Sequence, residues 1–132
     1  MIKDIIFPEV HDIGIAIVKE HEGLDEYNAY IFNFREEDIT NVLITSTGYG
    51  VINEVKKKTS TLRHLFEEVQ SLDYKLIEPV SKEVFGISNE YWISFTIGEK
   101  MYDKKFIFLP ESIIETNFQM IPIIKKKGVI IK

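Results

Sequence analysis

The chain has no cysteine, and its 132 residues include only 4 prolines, 7 glycines and a single tryptophan. Without cysteine there can be no disulfide, no thiolate zinc site and no cysteine nucleophile. Long apolar runs are missing as well, so no stretch is of a length to span a bilayer. The first eight residues, Met1-Ile2-Lys3-Asp4-Ile5-Ile6-Phe7-Pro8, place an acid and a proline where a secretion signal keeps an unbroken apolar run. A cytoplasmic protein is the expectation. Basic excess is also absent: the net charge is −5, which argues against nucleic acid and against any membrane as a partner.

Catalytic signatures are equally sparse. There is no Gly-x-Ser-x-Gly elbow and no Gly-Lys-Ser/Thr phosphate loop. Gly48-Tyr49-Gly50 lacks the third glycine of a dinucleotide fingerprint and reads as the turn that ends a strand. His11, His21 and His64 show no metal-ligand spacing, and a His64/Glu68 pair on one helix has no nucleophile near it in sequence. No catalytic residue, no metal ligand and no cofactor is predicted, and a non-enzymatic chain is expected.

What is present is ordinary globular material. Hydrophobic residues make up 45% and charged residues 28%, enough to bury a core and too apolar for disorder. One domain over 1–132 is expected. The most informative stretch is 90–109, where two apolar runs meet at Gly98-Glu99. Glycine suits the first central position of a type II′ turn, so a two-residue hairpin follows. That turn pairs Ile97 with Lys100, Phe95 with Tyr102, Ile93 with Lys104 and Tyr91 with Phe106. On the other face it pairs Thr96 with Met101, Ser94 with Asp103 and Trp92 with Lys105. The first face is the core face. The second, with Trp92, Ser94, Asp103 and Lys105, is either a binding surface or a face covered by a helix or by the C-terminal tail.

Three further strands, 13–18, 27–34 and 40–47, read as an antiparallel meander, with short extended runs at 73–77 and 129–131. Leu62, Leu65, Phe66 and Val69 fall at i, i+3, i+4 and i+7, which predicts a helix over about 60–70 capped by Thr59-Ser60-Thr61. Glu78-Pro79 and Gly86 bracket a second, shorter helix over about 79–85, and 110–115 could add one helical turn. The expected fold is therefore α+β: one antiparallel sheet of five to seven strands packed by one main helix.

Two functions fit this pattern. The first is a binding or regulatory module acting through protein contacts. Strand 27–34 and the hairpin carry apolar groups on both faces, more than two helices can cover, so a partner protein or a second copy of the chain would cover the rest. The alternative is a small-molecule or phosphate-ligand domain, enzymatic or not. Its anion would sit at the helix start on Lys57, Lys58, Thr59, Ser60, Thr61, Arg63 and His64.

Overall fold

A computed structural model describes residues 10–132; residues 1–8, read above for a secretion signal, lie outside the described residues. The described chain forms ten strands and two short 3-10 turns, with no α-helix. The strands are β1 (Ile13–Lys19), β2 (Tyr27–Asn33), β3 (Ile39–Ile52), β4 (Val55–Lys58) and β5 (Leu62–Val69). They continue as β6 (Asp73–Val80), β7 (Ser88–Ile97), β8 (Lys100–Phe108), β9 (Gln119–Ile121) and β10 (Lys126–Ile131).

These strands build two antiparallel five-stranded sheets. Sheet A has the order β6-β2-β1-β10-β9; in sheet B the order is β4-β3-β7-β8, with β5 also paired to β3. Alternation assigns the faces. Ile13, Ile15, Ile17, Ala29 and Ile31 of sheet A meet Ile39, Val42, Ile44, Ile93, Phe95, Phe106 and Phe108 of sheet B in one buried cluster. A second cluster lies on the other side of sheet A, where Ala16, Val18, Tyr30, Phe32 and Ile121 are buried.

Three expectations are corrected. The main helix over 60–70 is strand β5, so the fold is all-β and not α+β. Leu65 shows why: a helix would bury it beside Phe66, but it is 75% exposed, while Phe66 packs against the core from the opposite face. The i, i+3, i+4, i+7 spacing does not mark one buried stripe: Leu62 is 48% exposed and Leu65 75%, while Val69 at the strand end is fully buried. The free edge of β3 supplies a full row of backbone partners that outweighs helix propensity. The second helix, over 79–85, is likewise absent. Glu78 and Pro79 belong to β6, an edge strand that tolerates proline, and only Lys82–Val84 makes a 3-10 turn. The helical turn expected over 110–115 does not form; a 3-10 turn begins only at its last residue, over Glu115–Asn117.

The single sheet is also two. β1 and β2 form a hairpin, but β3 leaves for sheet B instead of completing a meander. Buried Asn33 holds the crossing: its side-chain amide donates to the carbonyls of Glu37 and Val69, and its oxygen accepts from the amide of Arg35. One side chain thus ties together two of the four connections through which the described chain changes sheets, β2 to β3 and β5 to β6. The hairpin β7–β8, in contrast, has every pair expected from its turn, with Gly98 at φ +61. Gly48 and Gly50 end no strand. β3 runs on to Ile52, and a Cβ at Gly50 would lie 2.9 Å from the Ile87 side chain, so the pair marks a close approach within the sheet.

Candidate functional site

Cross-strand partners share a face, so the outer face of sheet B can be read row by row from the register. The central row runs Arg63, Thr45, Trp92, Lys105 across β5, β3, β7 and β8. The next row is Leu65, Leu43, Ser94, Asp103. On the other side Thr47 and Glu90 continue to Ile107, and Thr47 hydrogen-bonds Thr61 at 3.0 Å. This face is wet. Trp92 is 45% exposed, so neither a helix nor the C-terminal tail covers it, and Leu43 at 38% beside Leu65 makes an apolar strip next to it.

Charge frames the indole. The Lys105 ammonium lies 5.1 Å from the Trp92 ring centroid and 3.7 Å from a Glu90 carboxylate oxygen. Ser94 donates to Asp103 at 2.6 Å, which fixes that carboxylate one row away. A large amphipathic ring on a rigid four-strand platform, with aliphatic neighbours and charges of both signs around it, has the make-up of a protein-docking centre.

Of the expected residues, Trp92, Ser94, Asp103 and Lys105 do share one open surface. The seven expected at a helix start are dispersed instead along the edge of sheet B. Lys57 and Lys58 point to opposite faces of β4, opposite Gly50 and Tyr49. Thr59, Ser60 and Thr61 form a one-residue bulge between β4 and β5, where the Thr59 hydroxyl accepts from the amide of Gly48. Arg63 joins the Trp92 row, while His64 turns inward. There are no helix amides for an anion to meet. Lysines on an edge strand also serve a plain structural purpose, since they discourage pairing with other strands.

His64 belongs to a second constellation. On β6 the register shifts at Ile77, a bulge that turns both Ile77 and Glu78 towards sheet B. The Glu78 carboxylate accepts from Ser46 at 2.8 Å, from His64 Nε2 at 2.7 Å and from the Tyr91 hydroxyl at 3.2 Å. Three strands of sheet B therefore hold one acid of sheet A. Burial first, and then the Glu78 charge, push the Tyr91 phenol far above its ordinary value, so it stays a proton donor. Ser46, Glu78 and Tyr91, but not His64, floor a cleft of about 190 Å³ walled by Thr47, Thr59, Ser60, Ser81 and Val84. With all three donors aimed at one carboxylate, the cluster is an inter-sheet clamp, and no side chain in it is set up as a nucleophile. Two carboxylates, Glu78 and Glu90, line the cleft and oppose an anion there.

Among the described residues no three His, Asp or Glu side chains gather as metal ligands, and no helix is long and apolar enough to cross a membrane. Compared with family models, curated proteins and solved structures, the chain matches none, so no relative's activity bears on it. Sequence reasoning missed Leu43, Leu65 and Glu90 on the outer face of sheet B, although the alternation of Val42/Ile44 against Leu43/Thr45 carries the signal for the first. It missed Ser46, Glu78 and Tyr91 as a cluster, because bulges leave no pattern in a single sequence.

Proposed function

We propose that this chain is a non-enzymatic binding module that engages a protein through the outer face of sheet B, with Trp92 as the anchor. The observation that supports this most is the exposure of Trp92 at the centre of a regular, rigid sheet. Leaving a tryptophan half in water forgoes burial worth roughly 1.5–3 kcal/mol for a large apolar side chain, a gain that a docked partner recovers. The partner surface would offer an apolar socket for the indole and Leu65, with carboxylates for Arg63 and Lys105; a second copy of the chain is one such surface.

The test places a photo-crosslinking residue at Leu65 and, as a control, at Leu76, which is 48% exposed on sheet A. Docking on sheet B predicts adducts, to self or to another protein, from position 65 and not from 76, and their loss in Trp92→Ala. Equal adducts from both positions, or adducts indifferent to Trp92→Ala, would contradict it. Sedimentation velocity of the same proteins separates self-association from a foreign partner.

A further inference from the structure

Beyond the sheet, β3 and β4 continue as a two-stranded ribbon. β7 reaches only as far as Ser88, opposite Tyr49, so Gly50 to Ile52 pair with Val55 to Lys57 alone. Asn53 and Glu54, at φ 51 and 64, close the ribbon with the two positive-φ residues of a type I′ turn. Its side chains are unusual for a turn. Val51 is 61% exposed and Val55 54%, and Lys56, Lys57 and Lys58 follow, all exposed.

Their clustering sets these lysines apart. Elsewhere Lys19, Lys82, Lys105, Lys126 and Lys127 each have a carboxylate within 4 Å, at Glu115, Asp25, Glu90, Glu20 and Glu22, and the described lysines outside ion pairs, Lys75, Lys100, Lys104, Lys125 and Lys132, are scattered singly along the chain. Among the described residues no ion pair engages Lys56, Lys57 or Lys58. An acidic protein thus concentrates uncompensated positive charge beside two bare valines, and Glu54 is the only acid in the ribbon.

We propose that this ribbon is a peripheral membrane contact that takes an anionic lipid surface. The aliphatic side chains would reach the boundary of the acyl region while the ammonium groups sit among anionic headgroups. Lysines and apolar residues occur on both faces of the ribbon, Val51 and Lys56 on one and Ile52, Val55 and Lys57 on the other, which suits immersion of the tip. Nucleic acid is the poorer fit, because valine offers nothing to a phosphate or to a base edge and no base can stack on it. Such a contact needs no spanning segment, so the want of one in the sequence does not bear on it. The expected absence of a membrane partner is revised here for this peripheral mode alone.

The experiment is co-sedimentation of the full chain with vesicles of phosphatidylcholine alone and of phosphatidylcholine mixed with phosphatidylserine. Binding is expected only to the mixed vesicles and should weaken as salt is raised. Replacing Lys56, Lys57 and Lys58 together by glutamine should weaken it about a hundredfold. Val51→Ser with Val55→Ser should weaken it at constant charge, and Glu54→Gln, which removes the tip carboxylate, should strengthen it. An unchanged cooperative urea transition, followed by far-ultraviolet circular dichroism, shows that each variant keeps its fold. Equal binding to neutral vesicles, tighter binding to duplex DNA than to lipid, or no wild-type binding to lipid would overturn the proposal. Self-association of the lysine variant without any wild-type lipid binding would assign those lysines to guarding the edge of β4.

Discussion

The outer faces of the two sheets start from similar sequence and end differently. Both have apolar side chains pointing away from the central core: Ala16, Val18, Tyr30 and Phe32 on sheet A, and Leu43, Leu65, Trp92 and Met101 on sheet B. On sheet A all four are buried, with Ile121, Phe34, Tyr74 and Ile130 packed into a second cluster. On sheet B all four are exposed, and Met101 reaches 71%. An apolar outer face is therefore not in itself a docking site. It becomes a candidate where the chain leaves it open and surrounds it with threonine and charge.

Core substitutions should break this contrast most sharply. Phe32→Ala, on the covered face, should cost about 3–5 kcal/mol in urea unfolding, because the ring is fully buried. Trp92→Ala, a larger truncation on the open face, should cost about 1 kcal/mol or less. Comparable losses would mean that something covers sheet B as well.

The clamp between the sheets comes next. Glu78→Ala leaves Ser46, His64 and Tyr91 without their shared acceptor and should cost about 2–4 kcal/mol, by the same measurement. Glu78→Gln, which can still accept hydrogen bonds, should cost less.

Alkaline pH offers a third probe. Burial, with help from the neighbouring Glu20, pushes the Tyr30 phenol on the covered face from its ordinary 10.0 up to about 12, and Tyr91 is raised further. The folded chain then holds protons that the unfolded chain releases. Stability from these two groups is fully present below about pH 10, and it falls as pH rises through the folded values. Phenolate absorbance should show two of the six tyrosines ionising late and together with unfolding. Ionisation of all six near the ordinary value, with the fold intact, would contradict the buried donors.

The smallest effect is the most diagnostic of the fold. Leu65→Thr should change stability by no more than about 0.5 kcal/mol, since it swaps one exposed strand residue for another with good strand propensity. In the helix expected from the leucine spacing, the same change would empty a core position and cost about 2–5 kcal/mol.

That contrast marks where the sequence is legible. The β7–β8 hairpin is readable to the residue, because a two-residue glycine turn fixes the register and alternation then assigns both faces. The grouping of Trp92, Ser94, Asp103 and Lys105 on one face follows from the same parity, whereas its openness does not. β5 is not readable, because Leu62, Leu65, Phe66 and Val69 fit a helical period and break strand alternation, and only pairing with β3 overrides that local pattern. Nor is the change of sheet after β2, where 35–38 looks like a hairpin turn. Its outcome depends on the Asn33 side chain reaching carbonyls in two loops. Sites built on bulges, such as Glu78 with its three donors, stay hidden for the same reason: they depend on partners distant in sequence.

Because Trp92 is the only tryptophan, its emission reports on the sheet B face alone. Acrylamide quenching in dilute solution is the most direct check that this face is open. The structure predicts red-shifted emission, quenched readily though less than in the urea-unfolded chain, because the ring is 45% exposed, with further protection when a partner or a second copy docks. Blue-shifted, shielded emission from the dilute monomer would contradict it, and the docking face would have to be sought elsewhere.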